Sequence, residues 1–245
     1  AEQAKEQTAQ LKEQLRQTEG RQKETEGKLQ AYHENGVNRL SIGLQSTDDR
    51  ELKVLGRIHT YEDFLKIYEM ARKTGYKNIN IDLISGIPYQ NLEKFARNLL
   101  RVIQLKPEHI SAYSLIIEEG TAFYRKYKHE LNMQEAGLPT REIPTEDELC
   151  KIMVATRQLL ERHGYHRYEI SNYAREGYAC RHNLGYWERR EYLGLGLGAA
   201  SLLGNIRYTN VRDITTYMKF ASSICPQIFT DSETGRKTMG INLHG

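Results

Sequence analysis

Cysteine is scarce and scattered: Cys150, Cys180 and Cys225 stand 30 and 45 positions apart in a chain of 245 residues. That spacing gives neither a disulfide framework nor a compact metal clip, and an odd count suits free thiols in a reducing compartment. Long apolar runs are missing too. No stretch approaches the ~20 residues that a membrane-spanning helix needs, and the start does not resemble a secretory signal. An excess of one charge is also lacking. The formal net charge is +3, too small to argue for nucleic acid or a membrane surface as partner. With 39% hydrophobic and 27% charged residues, the composition is that of an ordinary soluble protein, and the cytoplasm is the expected location.

What is present divides by composition. Residues 1–28 are rich in Gln, Glu and Lys, with Leu11 and Leu15 as the only large apolar side chains before Leu29. A heptad would need apolar residues at a and d through several repeats, so this segment reads as a polar helical or disordered lead-in. From residue 29 the texture is α/β. Leu40, Ile42 and Leu44 alternate as in a strand, and so do Ile79, Ile81 and Leu83. Between them Thr60 and Asp63 open a helix with Phe64, Ile67, Tyr68 and Ala71 on one stripe, and Gly75 ends it. A second helix carries Leu92, Phe95, Leu99 and Val102 before Pro107, and a third strand runs over about 109–117.

The polar stretch from Glu118 to Pro144 breaks the alternation and reads as a long loop or insertion. Thr145 and Glu148 form a capping box for a helix whose stripe is Leu149, Ile152, Met153, Thr156 and Leu159, closed by Gly164. A short strand is expected around 167–171, and from about Ser222 no period is visible, which predicts a tail. Repeated strand–helix units build parallel sheets, open or closed into a barrel. The units visible here are too few for a whole (β/α)8 barrel. The expected organisation is therefore a lead-in (1–28), a partial barrel (29–164), a smaller α/β region (165–221) and a tail (222–245).

Ligands of parallel α/β folds sit at the C-terminal ends of the strands. Gln45 follows the first strand, Asp82 lies in the second on the face opposite Ile81 and Leu83, and Arg57 precedes the capped helix. An amide, a carboxylate and a guanidinium suit a polar small molecule with a carboxylate and hydroxyls, because the arginine fork bonds both oxygens of a carboxylate. The structural alternative is an Asp82–Arg57 pair inside the sheet. GLGLGAA, from Gly194 to Ala200, lacks the strand–turn–helix context of a dinucleotide fingerprint; its glycines fit close backbone packing in a tight strand or turn.

Taken together, GVNRLSIGLQS, Arg57 in LGRIHTYEDF, NINIDLISGIPYQ and PEHISAYSLIIEEGTAFY resemble consecutive blocks of the oxygen-independent coproporphyrinogen III oxidase family. YHRYEISNYA, RHNLGYW and YLGLGLGAAS continue that resemblance, which runs from about Leu29 to Lys219. It implies a radical-SAM fold in which Gln45, Arg57 and Asp82 contact S-adenosylmethionine. Within the family, His182, Asn183, Tyr186 and Trp187 look like the HNxxYW signature of the haem-chaperone branch. That branch binds haem and passes it to apo-haemoproteins, and His182 matches its suspected haem contact. Imidazole is a good axial ligand, and Tyr and Trp would cover the macrocycle. The plain alternative has His182 bonded to a backbone carbonyl and Trp187 filling core.

The resemblance also implies a [4Fe–4S] cluster on a CxxxCxxC run, and no two cysteines of this sequence are close enough to supply one. The family's glycine-rich strand end and its acidic cofactor contact are absent as well. Roughly the first three β/α units are expected to be missing, and the C-terminal domain beyond Lys219 to be cut short. The first visible strand should then present an unpaired edge that invites self-association. These readings favour a haem-chaperone-like protein without radical chemistry of its own. The alternatives are the oxidase itself, decarboxylating propionates of coproporphyrinogen III, and a non-catalytic interaction protein.

Overall fold

The computed structural model describes residues 20, 23–221, 225–230 and 237–242, with side chains placed through residue 219. Most of the expected lead-in, residues 1–19 and 21–22, lies outside the described residues. The chain forms two compact units, Ala1–Ala179 and Cys180–Gly245.

In the first unit, helix α1 (residues 23–34) precedes β1 (Leu40–Gln45), α2 (Asp49–Val54), α3 (Tyr61–Thr74), β2 (Ile79–Ser85), α4 (Leu92–Gln104) and β3 (His109–Ser114). Then follow α5 (Ala122–Glu135), α6 (Glu146–Arg162), β4 (His166–Arg167) and β5 (Asn172–Ala174). The sheet order is β1-β2-β3-β5-β4; β1, β2 and β3 are parallel, whereas β5 and β4 join antiparallel. The result is a mixed α/β unit with a parallel sheet, open rather than closed into a barrel.

Period-two alternation assigns the two sheet faces. Leu44, Ile79, Ile81, Leu83 and Ile110 are buried in one core with Phe64, Tyr68 and Ala71 of α3, Phe95, Leu99 and Val102 of α4, and Ile152 and Leu160 of α6. The helices that cover this face start where the sequence directs. In α3 the Thr60 hydroxyl accepts from the Asp63 N–H while the Asp63 carboxylate accepts from the Thr60 N–H, and Gly75 ends the helix at φ 106°. Thr145 and Glu148 do the same for α6. Each such cap contributes about 1 kcal/mol.

Four expectations are corrected. The stretch 118–144 is not one long loop: α5 starts at Thr121, whose hydroxyl accepts from the Tyr124 N–H. Its Tyr127 is buried, and Glu130 takes the backbone N–H groups of Arg141 and Glu142 at 2.7 and 2.9 Å, which ties the return chain to the helix. The charged residues between its buried positions hid the helical period. The strand expected at 167–171 is two short strands around a turn, and Glu169 accepts the N–H groups of Ile170 and Ser171 within that turn. In α6 the stripe passes through Leu160, while Met153 is about half exposed. Residues 165–179, grouped by sequence with the C-terminal region, pair and pack within the first unit.

The second unit holds α7 (Arg181–Trp187), the hairpin β6 (Ala200–Leu203) and β7 (Ile206–Thr209), α8 (Ile214–Ala221), β8 (Cys225–Thr230) and β9 (Lys237–Asn242). The expected tail is thus also corrected, because β8 and β9 pair antiparallel from Cys225↔Asn242 to Thr230↔Lys237. The remaining residues of that segment lie outside those described.

Candidate functional site

The sheet face turned away from the helices is polar. Parallel register sets Ser41, Asn80 and His109 side by side, and sets Gly43, Asp82 and Ser111 in the next row, which antiparallel β5 extends with Asn172. Paired residues point to the same side of a sheet, so these groups share one surface.

Asp82 is the centre of a bonded set. Ser41 Oγ donates to one carboxylate oxygen at 2.9 Å, and Asn80 Nδ2 donates to the other at 2.7 Å and also to Ser41 Oγ at 2.7 Å. The Asn80 oxygen accepts from Ser111 Oγ at 3.1 Å and lies 2.6 Å from His109 Nδ1. An amide oxygen only accepts, so Nδ1 carries the proton; Nε2 then accepts from the Tyr168 hydroxyl at 2.7 Å. Burial, with a smaller contribution from the Arg39 charge, pushes the His109 imidazole down to about 3, so it is neutral at physiological pH. The two donors fix the Asp82 carboxylate while leaving it lone pairs for a ligand's hydroxyl or amine hydrogens. In the same row, Asn172 is buried and its side-chain oxygen has no partner among the described residues. A buried acceptor left without a partner calls for a donor.

Gln45 ends β1 at φ 70°, where the register with β2 shifts between Gly43 and Gln45. A non-glycine residue in the left-handed region is uncommon, and such positions concentrate at ligand sites. Its amide folds back over Gly43: a Cβ on Gly43 would lie 2.7 Å from Gln45 Nε2. Since Gly43 is the register partner of Asp82, the sheet brings Gln45 and Asp82 to one surface.

Arg57 stands apart. Its backbone N–H donates to Leu52 O at 2.9 Å in the chain reversal after α2, and its side chain is exposed. Asp82 takes its hydrogen bonds from Ser41 and Asn80, and among the described residues no ion pair joins it to Arg57. The alternative of an internal Asp82–Arg57 pair is therefore ruled out, and the guanidinium is available to a ligand.

His182 belongs to the second unit. It opens α7, and its ring lies edge-on to Tyr186 at 4.7 Å between centroids; Tyr186 meets Tyr192 in the same way at 4.6 Å. The spacing i, i+4 puts His182 and Tyr186 on one helix face. No residue of α7 is buried, and Trp187 is 54% exposed. A core role for Trp187 is thus overturned.

The glycines of the GLGLGAA run do what close packing requires: a Cβ on Gly194 would fall 2.1 Å from the Ala200 carbonyl oxygen. Among the described residues no group of His, Cys, Asp or Glu could hold a metal ion, and Cys150 and Cys180 are free thiols in different units. The residues present do not fit a cysteine-held iron–sulfur cluster, whereas Gln45 and Asp82 offer an amide and a carboxylate to a polar ligand on one surface.

Sequence reasoning singled out Gln45 and Asp82, and it did not point to Ser41, Asn80, His109, Ser111 and Asn172, which share the polar face with them. The signal was in plain view: Ser41, Asn80, Asp82, His109 and Ser111 alternate with Leu, Ile and Ala along the first part of three strands. A face that is polar by alternation, in a sheet that also packs on helices, marks a surface built for a ligand rather than for core.

A largely parallel sheet with helices on one face and a polar, Asp82-centred surface on the other makes this an α/β protein with its candidate ligand surface on the open face. Residues 17–101 match the family described as the Radical SAM superfamily. Over those residues the chain is similar to that superfamily, and over most of its length it is similar to proteins named heme chaperone. It is 37% identical to the heme chaperone HemW of Bacillus subtilis over 191 residues, covering 78% of this chain and 48% of that protein. Its identity to the heme chaperone HemW of Escherichia coli is 40% over 168 residues, covering 69% of this chain and 41% of that protein. It is also 37% identical to the mouse radical S-adenosyl methionine domain-containing protein 1, mitochondrial, covering 70% of this chain and 37% of that one. Among solved structures, the radical-SAM coproporphyrinogen III oxidase HemN of Escherichia coli shares the fold. The TM-score is 0.60 at 22% identity, over 87% of this chain and 48% of that one. The chain thus spans about half the length of the curated relatives it matches. No described helix is long and apolar enough to cross a membrane.

Proposed function

We propose that this chain is a haem-binding protein of the haem-chaperone branch, passing haem to apo-haemoproteins in the cytoplasm. The observation that carries the reading is the identity of 37–40% to proteins named heme chaperone over most of this chain. The His182–Tyr186–Tyr192 chain of rings gives it a physical form, since an unburied imidazole against Tyr186, which in turn meets Tyr192, can ligate iron while the rings meet the macrocycle. Gln45, Asp82 and Arg57 form the S-adenosylmethionine-binding part, which holds and orients that molecule. No radical step is assigned to the chain, because its cysteines do not supply a cluster site. The likeness to coproporphyrinogen III oxidase, at 22% identity, bears on the fold and not on an oxidase activity. β1 is the edge of the described sheet, and a second copy pairing there is part of the same proposal.

A haem titration of the purified chain, followed at the Soret band beside His182→Ala, tests the reading. Saturable one-to-one binding in the wild type, weakened about ten-fold or more in the variant, is the expected result. Non-saturable binding in both proteins would overturn it.

A further inference from the structure

The second unit contains a groove of about 910 Å³ that shares only Tyr186 with the HNxxYW signature. Tyr186, Tyr192, Leu195 and Leu202 supply its apolar surface, and Arg189 and Arg207 its charge. Among the described residues no acidic one lines it. The two nearest in sequence are engaged elsewhere: Glu188 pairs with Arg190 at 2.5 Å, and Glu191 accepts the Gly204 N–H at 2.7 Å.

Backbone register explains the arrangement. Tyr192 bridges Leu202, and Leu202 pairs with Arg207 across the β6–β7 hairpin. The three side chains therefore stand in one row on one face: an aromatic ring, an aliphatic side chain, then a guanidinium. Arg189 comes from the end of α7, at φ 56°, and one of its Nη atoms donates to the Asn205 side-chain oxygen at the hairpin turn. That bond fixes the guanidinium and leaves its other N–H groups free to donate. Leu195 is 75% exposed, and Leu193 and Leu197 are about half exposed on the same alternating run. The glycines between them explain why: Gly194 packs against the Ala200 carbonyl, so the leucines cannot turn inward. An exposed apolar ridge beside two arginines is costly to leave bare and is the mark of a binding surface.

We propose that this groove seats the porphyrin of haem, with Arg189 and Arg207 as the anchors of its two propionates. The inference rests on the haem-chaperone reading and adds to it the residues that recognise the ligand's charged edge. Haem is flat, apolar over most of its area and anionic along one side. The groove is complementary on both counts: aromatic and leucine surface for the ring, arginines for carboxylates, with the fork geometry that bonds both oxygens. Tyr186 connects the two parts of the site, because it lines the groove and also touches the His182 ring.

The test uses the full chain and two iron porphyrins, protoporphyrin IX with its propionates and octaethylporphyrin without them. Wild type, His182→Ala, Arg207→Gln and the double variant Arg189→Gln/Arg207→Gln are titrated at the Soret band. Circular dichroism melting reports whether each variant is folded. Arg207→Gln is expected to weaken protoporphyrin IX binding about ten-fold, and the double variant further. Octaethylporphyrin binding is expected to stay within about two-fold of wild type in both. Equal loss for both porphyrins, in variants that melt like wild type, would overturn the propionate assignment. So would unchanged protoporphyrin IX binding in the double variant; the groove would then serve another occupant, such as an apolar peptide, while the haem-chaperone reading stands. A wild type that binds neither porphyrin saturably would overturn the haem reading itself, and the groove assignment with it.

Discussion

His109 Nδ1 stands 2.6 Å from the side-chain oxygen of Asn80, joining β3 to β2 on the face that carries Asp82. The contact sets the tautomer of the imidazole, and through Asn80 it sets the direction of the amide that donates to Asp82. A buried histidine thus helps to orient a carboxylate that it does not touch.

Acid should expose this arrangement. In the unfolded chain a histidine takes up its proton near 6.5, whereas folded His109 stays neutral down to about 3. Between these values the unfolded state binds the extra proton, so stability falls as pH drops from about 6.5 towards 3. The loss at the acid end is on the order of a few kcal/mol. Melting temperature against pH should show the slope in wild type and a flatter curve in His109→Gln. Parallel curves would place the acid sensitivity elsewhere.

Asn80→Leu removes the acceptor of His109 and the donor shared by Ser41 and Asp82. It leaves a buried imidazole N–H without a partner, which should cost about 2–4 kcal/mol by denaturant unfolding. Ser41→Ala removes a more exposed hydroxyl, while Asn80 still holds Asp82, and should cost less than about 1 kcal/mol. Equal losses would mean that the network does not run through Asn80.

The parallel core of the fold was legible because Ile and Leu alternate in β1 and β2 and two helices carry complete capping boxes. Such signals are local: Thr60 and Asp63, or Thr145 and Glu148, lie within one helical turn. What was not legible depends on register. Nothing in the sequence sets Asn80 beside His109, because that neighbour is chosen by pairing across 29 positions of chain. Likewise β5 joins β3 antiparallel by folding back after α6, and the short strands around residues 166–174 have no period of their own. Gln45 and Asp82 were singled out by their place in the strands and by the resemblance to a family. The polar face could be read from the alternation alone, but the rows within it depend on register.

Two glycines allow opposite experiments on stability. At Gly194 a Cβ would meet backbone, 2.1 Å from the Ala200 oxygen, and backbone cannot yield without moving the strand. Gly194→Ala should destabilise by about 1–3 kcal/mol or more and reduce porphyrin binding with it, as read by melting and Soret titration of the same sample. A variant that melts like wild type would show that the run carries no packing constraint.

At Gly43 the obstacle is the end of a flexible side chain, Gln45 Nε2 at 2.7 Å, and the backbone is ordinary strand. Gly43→Ala should therefore change stability by less than about 1 kcal/mol, while driving the Gln45 amide off the surface beside Asp82. If that surface holds S-adenosylmethionine, calorimetry should show affinity falling about ten-fold in Gly43→Ala, with a comparable loss in Gln45→Ala. The two changes should not add when combined, because both remove the same contact. Arg57→Ala, made at an exposed side chain, should weaken binding independently and leave the melting temperature unchanged. Loss in Gln45→Ala with none in Gly43→Ala would mean that the amide reaches the ligand from a position other than the one over Gly43. Additive losses would assign the two residues separate roles.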